Sequence, residues 1–336
     1  MCNISVITIF KRRHKKVKES LNSLINQTLP NVEIICIYKE ENSDIDRFVK
    51  ETQEKNSNIK IIYKTKAQDV TAKNRALEEA QGKYIIVMNG DMCLEKTALE
   101  KLFNAQEKNG TDIAMCGFNI IDINTNQLID EGLNNKFKEV ENLNGKNQNF
   151  AYLNLDGGNK LIKKELLEDL KFQNYDECQD EIFILSCYAK ATKVSFVNEQ
   201  LYYKYEDNSN KNLKNQVQIK DLKDGLVEVK KLYKDAGKYE KMKNVLTFIA
   251  FTRIGIRALV ELTINKNGDL KENIRDIMNY LDINFFEWRK NPFLKLNNVP
   301  RKRYWIAYTI YKYGFQQMFI KLYSKPIEKG TKLLII

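Results

Sequence analysis

The chain reads as an α/β protein: a mainly parallel central sheet flanked by helices, followed by an α-helical C-terminal region. Two observations predict the sheet. Short apolar runs rich in Ile and Val alternate with helix-like segments through the N-terminal third of the 336 residues. One of those runs, Tyr84-Ile85-Ile86-Val87-Met88, is apolar throughout, as a strand covered on both faces must be. A third observation sets the C-terminal region apart. After a polar stretch containing Asn210, Asn212 and Asn215, apolar residues recur at helical spacing.

Taken in order, Ile4 to Phe10 is the first strand. A helix follows with Val17, Leu21, Leu24 and Ile25 on one face, and Pro30 blocks its continuation. Val32 to Ile37 and Ile59 to Tyr63 are the next strands. Thr71 to Ala80 is a helix stopped by Gly82, and Ala98 to Asn109 another stopped by Gly110. Asp112 to Cys116 is a further strand. Asn134 to Phe150 is rich in Asn and Lys and reads as a long flexible loop or edge connection. Lys160 to Leu170 and Gln179 to Ala189 read as helices, as do Val217 to Lys234, Tyr239 to Leu262 and Leu270 to Leu281. Val245, Ile249, Ile256 and Leu259 give one buried face.

The strand from Tyr84 ends at Asn89-Gly90-Asp91. Ligands of open α/β sheets bind at the carboxyl ends of the strands, so Asp91 is delivered to the place where a site forms. A lone carboxylate there suits a hard divalent cation that also holds phosphate oxygens. Read on its own, the same segment is an ordinary Asn-Gly turn closed by Asp91.

The motifs in series carry more than any one of them. Ser5-Val6-Ile7, Asn26-Gln27-Thr28-Leu29 and Val32 to Ile37 open the series, followed by Ala72-Lys73-Asn74, Gly82-Lys83-Tyr84-Ile85, Asn89-Gly90-Asp91 and Asp112 to Phe118. Asn159-Lys160-Leu161, Gln179-Asp180-Glu181-Ile182-Phe183 and Leu201-Tyr202-Tyr203 complete it. In this order they resemble the inverting family 2 glycosyltransferases of bacterial surface-glycan type, with the glycosyltransferase A fold, over roughly residues 1–210. The resemblance implies a nucleotide-sugar half at 1–118 and an acceptor half at 119–210, and the helical spacing beyond them marks a C-terminal region at 211–336. It implies donor binding by Ile9, Phe10, Lys11, Lys73, Asn89, Gly90 and Asp91, with Asp91 also holding a weakly bound Mn2+ or Mg2+. Asn159, Lys160 and Glu181 fall on the acceptor side, and Asp180 becomes the general base, facing Asp91 across one cleft. Without the resemblance, Asp180 and Glu181 are ordinary acidic residues in a helix's first turn. The implied partners are a nucleoside-diphosphate sugar, with uridine diphosphate the expected nucleotide, and a glycan or lipid-linked acceptor.

Three departures from the family pattern keep a second reading open, a non-catalytic scaffold or binding protein of the same fold. Tyr38-Lys39 stands where the family has two acidic residues after the second strand. Asn89 replaces the first acid of the Asp-x-Asp motif, and Ile9-Phe10-Lys11-Arg12 replaces a Pro-x-Tyr-Asn sequence.

Composition excludes other classes. The content is 43% apolar and 29% charged, as in folded globular proteins, and no stretch approaches a membrane span. The N-terminus does not have the order of a signal peptide, because its basic cluster follows the apolar run. Cys2, Cys36, Cys93, Cys116, Cys178 and Cys187 contain no Cys-x-x-Cys pair and read as buried thiols of a cytoplasmic protein. His14 is the single histidine, which argues against a histidine metal site or a serine-histidine triad. It lies in the basic cluster Lys11 to Lys16, of which Lys11 and Arg12 are best placed for a diphosphate.

Charge is concentrated at the C-terminal end. Between Arg289 and Ile336 eleven Lys and Arg face one acid, Glu328, which is +10 of the chain's net +11. Tyr304, Tyr308, Tyr311, Phe315 and Phe319 recur there at helical spacing, with Trp305 beside them. Such a segment either lies on an anionic membrane surface or packs its aromatic stripe on the preceding domain. The first alternative places the protein on the cytoplasmic, inner face of the cell membrane through residues 289–336. No nucleic-acid module accompanies the charge, and no nucleic-acid partner is expected.

Overall fold

The computed structural model describes residues 2–11, 16–38, 44–63, 69–132, 137–143, 150–151, 153–175, 178–206, 219–264, 267–298, 302–318 and 320. Arg12 to Lys15, Lys39, the 207–218 stretch, Phe319 and the 321–336 end therefore lie outside the described residues. The chain forms two compact units. The first comprises Met1–Leu143, Asn154–Asn174 and Phe183–Asp207; the second comprises Asn144–Leu153, Tyr175–Ile182 and Asn208–Ile336.

The first unit is built on a ten-stranded sheet. Its strands are β1 (Ile4–Ile9), β2 (Val32–Tyr38), β3 (Ile59–Tyr63), β4 (Tyr84–Asn89), β5 (Met92–Leu94), β6 (Ile113–Asp122), β7 (Leu128–Glu131), β8 (Val140–Asn142), β9 (Lys160–Lys163) and β10 (Lys193–Glu206). The order is β3-β2-β1-β4-β9-β6-β10-β5, with β7 on β6 and β8 on β10. β3, β2, β1 and β4 run parallel. Their Ile- and Val-rich sequences suit this position, since β1 and β2 are buried at every residue. Helices α1 (Val17–Ile25), α2 (Asp44–Lys55), α3 (Asp69–Glu79) and α4 (Ala98–Asn109) connect the strands. Gly110, at φ 59°, ends α4 in the left-handed conformation the sequence anticipates.

The sheet as a whole is mixed, because β9 runs antiparallel to both β4 and β6. This corrects the helix expected at Lys160 to Leu170: Lys160–Lys163 is a strand, and Lys164–Leu167 a 3-10 turn. The Lys/Leu/Glu run has helix-like charge, but Leu161 and Ile162 are fully buried in the gap between β4 and β6. Tertiary pairing overrides the local pattern there. The polar 134–150 stretch likewise contributes β8, which pairs with β10. Its edge-strand sequence, Val-Glu-Asn, carries too little pattern to be read in advance.

The second unit is helical. It contains α6 (Ile219–Asp235), α7 (Tyr239–Ala250), a π-helical segment (Phe251–Ala258), α8 (Leu259–Ile264), α9 (Leu270–Asn284) and α10 (Lys302–Lys312). Helix α5 (Gln179–Lys190) begins in this unit and ends in the first. Phe251 stacks on Trp288 at 5.3 Å and meets Tyr308 and Tyr311 edge-on. The buried Tyr311 hydroxyl donates to the Gly255 carbonyl at 2.6 Å, and Tyr304 packs edge-on against Phe248. Tyr308 and Tyr311 of the expected aromatic stripe are therefore buried and Tyr304 is half-buried, whereas Phe315 is exposed. Among the described residues no helix is long and apolar enough to cross a membrane. All six cysteines are free thiols, five of them buried.

Candidate active site at the carboxyl ends of β1 and β4

The site grows from the register of two parallel strands. Ile9 of β1 lies opposite Asn89 of β4, so both strands end at the same level. The Gly90 amide then donates to the Ile9 carbonyl at 2.9 Å, and the Phe10 amide to the Ile37 carbonyl at 2.8 Å. A Cβ on Gly90 would stand 2.0 Å from Phe10 Cδ1, so only glycine lets the turn close over that ring. Asp91 follows, half-buried, and leads directly into β5. The structure thus brings Ile9, Phe10, Asn89, Gly90 and Asp91 together. Lys11 continues the same edge and reaches Asp69, at the start of α3, across 3.8 Å.

Lys73 extends from α3 and is 4% exposed, with its ammonium 4.8 Å from the centre of the Phe172 ring. Its neighbour Asn74 clamps the Phe172 backbone from both sides. The Asn74 amide donates to the Phe172 carbonyl at 3.0 Å, and the Phe172 amide donates back at 2.8 Å. The Lys-Asn pair thereby fixes the 171–174 segment to α3.

The Asp156-Gly157-Gly158-Asn159-Lys160 loop is packed against the same strands. A Cβ on Gly157 would meet the Val87 carbonyl at 2.5 Å, and one on Gly158 the Tyr202 ring at 2.5 Å. Asn159 and Lys160, expected on the acceptor side, are instead interior: each is under 3% exposed. Asn159 donates to the Cys116 carbonyl at 2.8 Å, and the Lys160 ammonium to the Asp156 carbonyl at 2.5 Å and to Asn159 Oδ1 at 2.7 Å. Burial pushes the Lys160 ammonium down to about 8, against the opposing pull of Asp156. In this arrangement the two residues hold the loop.

Sequence reasoning missed Asp156. Its carboxylate accepts from the Tyr202 hydroxyl at 3.0 Å and lies 3.6 Å from the Lys204 ammonium. The Tyr202 hydroxyl also touches the Met92 sulfur, and Lys204 is registered opposite Met92. Asp156 is thus linked through Tyr202 and Lys204 to Met92, the residue that follows Asp91. The Gly-Gly pair beside it was the signal that a backbone approached closely there.

Tyr38, in the position of the missing acids, is buried and packs edge-on against Tyr63 at 5.4 Å. It serves the packing between β2 and β3.

Asp180 lies half-buried in the first turn of α5, in the helical unit. Its neighbours hold that turn. Glu181 is 3.4 Å from Arg253 and 3.8 Å from Arg257, both on the π-helical segment. Ile182 lies under α6, where a Cβ on Gly225 would come within 2.7 Å of it. Glu181 is thus an anchor of the turn that carries Asp180, a role the acidic motif alone did not reveal.

The donors at the Asn89 to Asp91 turn are hard oxygens, one carboxylate and one side-chain amide. Among the described residues no three His, Cys, Asp or Glu side chains gather into a metal cluster. The turn fits a Mg2+ or Mn2+ that takes its remaining ligands from phosphate and water, not a closed protein cage.

The chain is similar to known proteins of one family. The model of the glycosyl transferase family 2 domain matches residues 5–171. The chain is 29% identical over 218 residues to a cholesterol galactosyltransferase of Borreliella burgdorferi, covering 60% of each chain. It is 26% identical over 208 residues to a poly(ribitol-phosphate) beta-glucosyltransferase of Bacillus spizizenii, covering 60% of this chain and 32% of that relative. The chain thus spans less than two thirds of either relative. A crystal structure of S. aureus TarS 1-349 in complex with UDP-GlcNAc superposes with a TM-score of 0.69 at 15% identity, covering 98% of this chain and 93% of that one. That likeness carries the fold into the helical C-terminal region. Residues 5–171 thus carry a glycosyl transferase family 2 domain.

Proposed function

We propose that the protein transfers a sugar from a nucleoside-diphosphate donor, with inversion, to a cell-surface glycan or lipid-linked acceptor. The observation that carries this reading is the β1–β4 register, which seats Ile9, Phe10, Asn89, Gly90 and Asp91 on one edge. The named relatives support a hexosyl donor, and the UDP-GlcNAc bound by TarS supports a uridine nucleotide.

In the reaction, an acceptor oxygen attacks the anomeric carbon as the bond to the diphosphate oxygen breaks. The nucleoside diphosphate leaves with the bonding pair, and Asp180 takes the acceptor's proton. Asn89 and Asp91 receive the ribose and diphosphate end of the donor, and Lys11 adds positive charge at the same edge. A divalent cation held by Asp91 and the donor phosphates would neutralise charge on the leaving group. Residues 289–336 supply the basic surface that keeps the enzyme on the inner face of the membrane.

The test is a screen of nucleotide-sugar hydrolysis and transfer, with and without manganese, on the intact chain. Turnover of at least one uridine-diphosphate sugar is expected, stimulated by manganese and abolished in Asp91→Asn. Donor binding without turnover for any sugar would establish the scaffold reading in its place.

A further inference from the structure

Helix α10 has two apolar faces, and among the described residues the core of its unit uses one. Tyr304, Ala307, Tyr308 and Tyr311 share the face that packs on Phe248, Phe251 and Gly255. Those contacts fix the rotation of the helix. Ile306, Ile310 and Tyr313, spaced by four and three, fall on a second face. Ile306 is 38% and Tyr313 66% exposed.

The end of the helix adds to that face. Gly314 takes the left-handed conformation at φ 81°. The Phe315 amide then donates to the Ile310 carbonyl at 3.0 Å, and the Gly314 amide to the Tyr311 carbonyl at 3.1 Å. This is a Schellman closure, which turns the residue after the glycine back toward the helix's last turn, here beside Ile310. Phe315 remains 58% exposed, and Met318, one turn on, 50%. Single exposed apolar residues are ordinary on a protein surface, but large ones concentrated within thirteen residues mark a contact surface.

What covers this face follows from charge. It lies inside the segment that carries +10 of the net charge, and the exposed Lys312 ammonium stands 6.0 Å from the Tyr313 ring. Aromatic, aliphatic and cationic side chains on one face suit the headgroup layer of an anionic bilayer. A protein partner would gain little from a segment of such high net positive charge unless it were itself strongly acidic.

We propose that Ile306, Ile310, Tyr313, Phe315 and Met318 form the surface that enters an anionic membrane, while Lys312 and the other cations of the same segment engage its headgroups. This deepens the membrane part of the reading above and replaces the Tyr304-Tyr308-Tyr311 stripe as the anchor.

The test is co-sedimentation of the intact chain with vesicles of phosphatidylglycerol mixed with phosphatidylcholine, and of phosphatidylcholine alone. The wild type is expected to sediment with the anionic vesicles only, and to be released by salt. The triple variant Tyr313→Ser, Phe315→Ser, Met318→Ser should partition about tenfold or more weakly, because each buried apolar group contributes to insertion. Its melting temperature should match the wild type, since all three side chains are exposed. Tyr311→Phe should show the opposite pattern, a lowered melting temperature with unchanged partitioning.

Wild-type sedimentation of the triple variant would overturn the proposal, as would equal binding to neutral vesicles or none to either. A dimer in the wild type that the triple variant dissolves would assign the face to a second copy of the chain. UDP-GlcNAc binding, measured by calorimetry on the same samples, separates the two readings. Its absence would count against the donor assignment and leave the sedimentation result standing.

Discussion

At the scale of single residues, Asp180 and Glu181 are adjacent in sequence and different in situation. Glu181 is engaged by Arg253 and Arg257, and Asp180 is the acid assigned to take the acceptor's proton. Asp180→Asn should lower turnover by a factor of roughly 10² or more with donor affinity nearly unchanged. Glu181→Gln should instead lower the melting temperature, with a smaller loss of turnover, because it loosens the turn without removing the base. Kinetics and thermal unfolding on both variants decide between them, and indistinguishable behaviour would mean the roles are misassigned. Lys160 gives a second residue-level prediction. Its folded-state value of about 8 lies below the ordinary lysine value. Between these the unfolded chain binds the extra proton, so stability rises with pH over that window and the burial penalty is in force below it. Lys160→Met should abolish that rise in urea midpoints measured from pH 7 to 10, at the cost of the bonds to Asp156 and Asn159. The sequence announced that these residues mattered but not how. A motif names Asn159, Lys160 and Glu181, and only burial and partners reveal that they hold neighbouring segments in place.

At the scale of elements, the parallel strands β1, β2 and β4 were legible because burial on both faces leaves an uninterrupted apolar signature, and glycine marks where helices α3 and α4 stop. The turn at Asn89 to Asp91 was legible for the same reason. β9 was not, since its four residues carry no alternation and its identity depends on the space between β4 and β6. Helix α2 also went unread: Asp44–Lys55 buries little beyond Asp46 and Val49, so its apolar stripe is thin. The Gly-Gly loop before β9 tests how strongly those pairings are enforced. Gly157→Ala places a methyl 2.5 Å from the Val87 carbonyl, which is backbone and cannot swing aside. A loss of about 1–3 kcal/mol is expected, or roughly 2–4 °C of melting temperature per kcal/mol for a unit of this size. Gly110→Ala, with open space around its Cβ, should cost only the strain of φ 59°. Comparable melting temperatures for the Gly157 variant and the wild type would show that the loop yields.

At the scale of the whole molecule, the C-terminal segment combines two roles that its composition alone runs together. The sequence leaves open whether it lies on a membrane or packs on the preceding domain, and Phe293, Leu294, Ala307, Tyr308, Tyr311 and Ile320 are all buried. Truncation before Arg289 would remove all of them, and with them the Tyr308 and Tyr311 rings packed on Phe251. Each large apolar side chain is worth about 1.5–3 kcal/mol of burial, so together they rival the 5–15 kcal/mol by which whole domains are stable. That truncation should therefore cost the helical unit its cooperative unfolding transition and expose dye-binding apolar surface. Transfer activity should go with it, since Tyr175–Ile182, with Asp180, belongs to the same unit. Deletion of residues 321–336 makes the complementary test. It removes Lys321, Lys325, Lys329 and Lys332 with Glu328, a net +3, and leaves those buried residues in place. Its melting temperature should stay within a few degrees of the intact chain, because the buried apolar contacts that set it persist. Binding to anionic vesicles should weaken by the contribution of a few headgroup contacts, on the order of 1 kcal/mol for each cation near the surface. Unfolding by the short deletion, or a stable and active chain ending at Trp288, would reverse the assignment of fold to residues 289–320 and of charge to the end.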